Sequence, residues 1–230
     1  MLSQQDLTEY FQASAETYRF LSQALLKELS EEAIEHIAAA EFPDDTGNAN
    51  LDRGYALVKR YFSFSSAERH TQLACEYARI FLAAGVYIKE RRTAIPYESV
   101  FTSDEHLMMQ ASRDDVVRFY REDGFQVDPA LHEPEDHLSF ELEYLSGMNS
   151  RALALATEKD ADGLHRNVER QRAFIENHLL NWVPSLREVA QDYARLAFYL
   201  GLLFITEGAL EQSKGMLDDI AAQIDSNARA

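Results

Sequence analysis

One cysteine, Cys75, is all the thiol chemistry in this chain, so no disulfide can close within it and a zinc site built on several thiolates is excluded. Its nine glycines form neither G-x-G-x-x-G nor G-x-x-x-x-G-K-[ST]. That removes the dinucleotide and phosphate-loop cradles, which need those spacings to bring backbone N–H groups onto phosphate. H-E-x-x-H and G-x-S-x-G are also missing, and with them the zinc-protease and serine-hydrolase templates. The longest apolar run, 196–205, is about half of the roughly 20 residues a membrane-spanning helix needs, and Gly201 interrupts it. No basic, apolar, small-residue leader opens the sequence, so no stable membrane insertion and a reducing, cytoplasmic setting are expected. Basic residues are scarce too: 22 Lys and Arg stand against 39 Asp and Glu, a formal net charge of −17. Such a field repels polyanions and excludes nucleic acid as a partner, while it concentrates cationic ligands such as a basic peptide.

What is present is helical periodicity. Hydrophobic residues make up 46% of the 230, enough to bury a core without covalent staples. Leu7, Tyr10, Phe11, Tyr18, Leu21, Leu25 and Leu29 recur at three and four and place an amphipathic helix over 6–29. Further helices are predicted over 31–40 and 51–62, and from a Ser65/Glu68 capping box to Gly85. More follow over 103–124 with Gly124 as the stop, from near Pro134, over 162–180, from a Ser185/Glu188 cap to 207, and over 210–224. The 86–101 segment, with Lys89, Arg91 and Arg92, reads as an ordered loop. No segment alternates as a strand would. The expected class is all-α, one bundle of nine or ten helices, with a soft division into 1–125 and 133–230 about a hinge at 125–132. Cys75 reads as an inert packed thiol.

The densest chemistry lies in Glu133-Pro134-Glu135-Asp136-His137-Leu138-Ser139-Phe140-Glu141. Proline and acidic residues suit the first turn of a helix, whose dipole is positive there. A cation does not, so His137 should be neutral or paired, and Glu141 lies four residues on, within reach of it. His132, Asp136, His137 and Glu141 are the only candidate metal set, with no obvious third ligand beside His137 and Glu141; no metal and no cofactor is predicted. Tyr77 and Phe81 read most simply as core.

The order of segments resembles the TorD/DmsD family of redox-enzyme maturation chaperones, in the NarJ-like superfamily. Glu76-Tyr77-Ala78-Arg79-Ile80-Phe81 is similar to the family's E-Y-x-R-L-F helix, and Pro96-Tyr97-Glu98-Ser99-Val100-Phe101 to its P-Y-x-S-V-Y loop. The Glu133 to His137 segment matches its E-P-x-D-H with Glu141-Leu142 in place, and His178 with Trp182-Val183-Pro184 fits a late run. Ala83-Ala84-Gly85 stands where the family often has Gly-Pro, and Phe101 where it often has tyrosine.

The resemblance implies a cytoplasmic, non-enzymatic chaperone. It would bind the twin-arginine leader and the mature part of a molybdoenzyme catalytic subunit until the cofactor is inserted, as a monomer or a helix-swapped dimer. Glu133, Asp136 and Glu141 would pair the guanidinium groups, with Pro134 and Ser99 beside them, and Tyr77, Phe81, Pro96 and Tyr97 would line a groove for the apolar segment. His137 would orient the carboxylates and titrate near pH 6.5. Two other readings stay open: a hydrolase of His/carboxylate-metal or nucleotide type, and an assembly factor that binds only a folded subunit.

Overall fold

Ser3 and Asp6 set the first turn. In the computed structural model, which describes residues 2–84 and 93–228, the Ser3 hydroxyl accepts from the Asp6 N–H while the Asp6 carboxylate accepts from the Ser3 N–H at 2.7 Å. This capping box opens α1 (Gln4–Leu26). Ser30 and Asn48 cap α2 (Glu31–Ala39) and α3 (Ala49–Phe62) in the same chemical manner. There follow α4 (Arg69–Phe81), α5 (Glu98–Thr102), α6 (Ala111–Glu122), a 3-10 turn at Pro129–Leu131 and α7 (Leu138–Glu158). Then α8 (Ala161–Phe174) runs on into a π turn (Ile175–Leu179), and α9 (Val183–Tyr193) and α10 (Ala197–Ala228) complete the bundle. Among the described residues there are ten α-helices and no strand, so the all-α class holds.

The long helices pair across the two halves of the sequence: α1 lies along α7, and α3 along α10. Small residues bring the second pair close. A Cβ on Gly54 would stand 2.8 Å from the Gly201 carbonyl oxygen, and one on Gly208 would stand 2.6 Å from the Leu51 nitrogen, so neither position has room for a side chain. An aromatic cluster of Tyr120, Tyr144 and Phe174 joins α6, α7 and α8, with Tyr144 and Phe174 ring centres 4.5 Å apart.

Several sequence expectations shift. Gly85 and the 86–92 part of the expected loop, with Lys89, Arg91 and Arg92, lie outside the described residues. The rest of that segment holds a short helix, α5, followed by an irregular stretch, so α6 begins at Ala111 and not at Ser103. The Ser65/Glu68 box does not form: Glu68 is itself the N-cap residue and donates its N–H to the Ser66 hydroxyl. Gly124 is the expected helix stop, at φ +71°. The expected helix to 207 ends at Tyr193, because the Glu76 carboxylate, brought from α4, accepts the Arg195 and Leu196 N–H groups (2.5 and 2.7 Å) at the start of α10. Gly208 does not divide α10, and the expected 210–224 helix is its second half. Cys75 is exposed, not packed.

Candidate functional site

Two segments 37 residues apart are fastened into one unit. The Leu138 N–H donates to the Pro96 carbonyl (2.9 Å) and the Glu98 N–H to the Asp136 carbonyl (3.0 Å), an isolated antiparallel bridge between Tyr97 and His137. α5 has no cap from its own chain neighbour. Asp136 supplies one across the bridge, its carboxylate accepting from the Ser99 N–H (2.9 Å) and hydroxyl (2.5 Å). Ser99 in turn accepts from the Gln110 N–H at 3.1 Å, which fixes the approach to α6.

His137 is the N-cap of α7 and not part of its first turn, so the helix starts at Leu138 and the acidic residues form a turn ahead of it, with the His137 N–H on the Pro134 carbonyl. Its Nδ1 accepts from the Ser139 N–H at 3.1 Å, and Tyr97 stands edge-on at 5.0 Å. An accepting Nδ1 requires the neutral ring with its proton on Nε2. Burial pushes the pKa of His137 down to about 4. The expected titration near pH 6.5 is therefore not available to this side chain, whereas the expectation that it is neutral holds. The expected His137/Glu141 side-chain pair does not form, because Glu141 points to the Trp182 indole, whose Nε1–H donates to it at 3.3 Å.

Three carboxyl groups are sealed beneath the bridge. Glu98, Asp136 and Glu141 are 2%, 0% and 0% exposed. Glu98 meets His178 Nδ1 at 3.1 Å and has the Glu141 carboxyl group as a charged neighbour. Burial, and then the neighbouring Glu98 charge, push Glu141 well above the usual carboxylate range, while burial raises Glu98 and Asp136. Two neighbouring buried carboxyl groups are not both ionised, so the pair holds a proton. Glu141 Oε1 is buried without a hydrogen-bond partner.

Of the carboxylates read as guanidinium partners, Glu133 alone reaches the surface. The Tyr97 hydroxyl donates to it, and it lines a cavity of about 470 Å³. Asp128, Glu135 and His132 share that cavity, and Val117, Phe125 and Val127 form its apolar wall. Glu135 is held by Arg113, Nε to Oε2 at 2.7 Å. Pro134 is half-buried. Pro96, Tyr97 and Ser99 are buried in the bridge. Tyr77 and Phe81 are 4% and 1% exposed and pack on Tyr199 in the core, the Tyr77 hydroxyl donating to the Leu26 carbonyl at 2.8 Å. They line no groove in this conformation. Among the described residues, no group of three or more His, Cys, Asp or Glu side chains could hold a metal ion.

Sequence reasoning passed over Glu98, His178 and Trp182 as site residues, although each stood inside a segment it had quoted. The signal was a charged residue between Tyr97 and Ser99 in a stretch otherwise suited to burial. Nothing local in the sequence pairs it with His178, 80 residues away.

A model of the nitrate reductase delta subunit family matches residues 45–188. A protein named chaperone protein TorD from Vibrio parahaemolyticus is 27% identical over 206 residues, covering 86% of this chain and 91% of its own. Its namesake from Vibrio cholerae is 26% identical over 94% of this chain and 97% of its own, and that from Aliivibrio fischeri 23% identical over 84% and 89%. These relatives carry the name of chaperones, proteins that act by binding. No described helix is long and apolar enough to cross a membrane.

Proposed function

The chain belongs to the nitrate reductase delta subunit family, and from that premise we propose that it is a cytoplasmic maturation chaperone for a molybdenum-containing oxidoreductase. In this reading it holds the twin-arginine leader and the mature part of the enzyme's catalytic subunit until the cofactor is inserted. The observation that supports it most is the cavity beside Glu133, where three carboxylates (Asp128, Glu133 and Glu135) meet an apolar wall at the surface of a chain of net charge −17. A leader that is basic and then apolar has the complementary order of chemistry.

Glu133 is the residue for the arginines, with the Tyr97 hydroxyl orienting it. Asp136, His137 and Glu141 serve the site from below by holding the bridge and the start of α7. The 125–132 connector supplies much of the cavity lining.

Calorimetric titration with the twin-arginine leader of a molybdoenzyme from the same genome tests the proposal. A twin-lysine leader and a Glu133→Gln variant should each weaken binding about tenfold, since both lose a bidentate charge-assisted pair. Binding that weakens with added salt is expected as well. No heat with any leader would shift the reading to recognition of the folded subunit alone.

A further inference from the structure

We infer that Leu107, Met108 and Met109, between α5 and α6, are the landing surface for the apolar segment of that leader; the inference rests on the chaperone reading above. These three consecutive side chains are 54%, 46% and 56% exposed. Among the described residues, the other large exposed apolar side chains, Phe64, Leu82 and Leu131, occur singly. A contiguous apolar exposure of this kind marks an interaction site more often than an accident. Methionine suits a surface that must accept apolar segments of varied shape, because it is unbranched and polarisable.

The loop is held in place. His106 Nδ1 bonds the Val100 carbonyl (3.0 Å), the Gln110 N–H bonds the Ser99 hydroxyl (3.1 Å), and the Gln110 side chain bonds the Met108 carbonyl (3.1 Å). His106 and Met109 adopt left-handed backbone conformations, φ 53° and 62°, which an unbranched apolar residue such as Met109 takes only at a cost. The three hydrogen bonds offset that cost and hold the loop in this conformation. Through Ser99 the same loop is tied to Asp136 and so to the bridge under the Glu133 cavity.

Distance and charge fit one occupant. The loop ends at Gln110, and α6 carries the chain from there to Val117, Tyr120 and Arg121 in the cavity wall. Seven to eleven helical residues span about 10–17 Å, which an extended peptide covers in about three to five residues. Arginines seated at Glu133 therefore leave the following apolar residues within reach of the patch. Asp104 and Glu105, both exposed, precede it and favour a cationic flank on the incoming chain.

The experiment titrates the full-length protein with two leaders: the complete twin-arginine peptide, and one that keeps both arginines but has serine throughout its apolar segment. A Leu107→Ser/Met108→Ser/Met109→Ser variant should bind the complete leader at least about tenfold more weakly than the wild type, and the two proteins should bind the serine leader equally. Independently, methyl-labelled methionine NMR of the wild type should show Met108 and Met109 signals shifting on addition of the complete leader, with buried Met148 unmoved. Equal affinity of variant and wild type for the complete leader, or unmoved Met108 and Met109 methyls at saturation, overturns the inference and leaves leader recognition standing. A variant that changes only the oligomeric state assigns the patch to a second copy of this chain and overturns it too. Failure of the complete leader to bind the wild type removes both the inference and the leader-binding part of the reading beneath it.

Discussion

Glu76 and Glu141 are both fully buried glutamates on helices, yet the fold answers them differently. Glu76 on α4 has an ion pair with Arg79 and accepts two backbone N–H groups at the start of α10. Glu141 on α7 has one bond from an indole and a carboxyl group for a neighbour. The first is a fastening: charge and lone pairs are met, and removing the carboxylate orphans backbone donors. The second is a carboxyl group that burial favours in its neutral form, beside the Asp136–Ser99 contact and the Trp182 ring stacked on Phe101 at 5.6 Å. A buried carboxylate is therefore read by its donors and not by its burial.

If that contrast is right, Glu76→Ala should cost the most, about 4 kcal/mol in denaturant unfolding, because it strands Arg79 and opens the α9 to α10 joint. A loss below about 1 kcal/mol would break the comparison at its strong end. Next comes the pH response of His137. Its pKa falls from 6.5 to about 4 on folding, so its contribution is present in full above pH 6.5 and is lost as pH drops through 4. The loss is about 3 kcal/mol, visible as the difference between wild type and His137→Asn, which keeps a capping acceptor but does not titrate.

Asp136→Ala should cost about 2 kcal/mol by removing the cap of α5, with Asp136→Asn milder, since an amide oxygen still accepts from Ser99. Glu141→Gln should change stability by only about 1 kcal/mol at pH 5, because a neutral amide of the same size replaces a carboxyl group that burial favours in its neutral form. The raised pKa of Glu141 makes its contribution full below the ordinary carboxylate range and lost as pH rises through the folded value. Wild type should therefore fall behind Glu141→Gln as pH is raised toward 9, and parallel curves would remove the shared proton from the account. The smallest effect belongs to Glu133→Gln, below about 0.5 kcal/mol, since this side chain is at the surface.

The helices were legible wherever apolar residues recur at three and four, as Tyr18, Leu21 and Leu25 do on α1, since that spacing is itself the buried face. Gly124 marked a helix end correctly, whereas the local Ser65/Glu68 and Ser185/Glu188 signals did not, since α4 starts after Glu68 and α9 already at Val183. Ends were not legible where the cap comes from far along the chain: Glu76 stops α10 from joining α9 from 119 residues away, and Asp136 caps α5 from 37. Family membership was readable from the ordered motifs and is matched by the family model. The E-P-x-D-H segment stood out because its proline and charges interrupt the periodicity. Which of its charges face water was not readable, because Trp182 and Glu98, which draw Glu141 inward, lie 41 and 43 positions away.

The division of labour between a surface carboxylate that recognises and buried ones that support is tested most directly by measuring leader affinity and thermal unfolding together for Glu133→Gln and Glu141→Gln at neutral pH. The account predicts that Glu133→Gln loses about tenfold in affinity for the twin-arginine leader with an unchanged melting temperature, and that Glu141→Gln keeps wild-type affinity. Loss of affinity in Glu141→Gln, with Glu133→Gln binding as tightly as wild type, would contradict it.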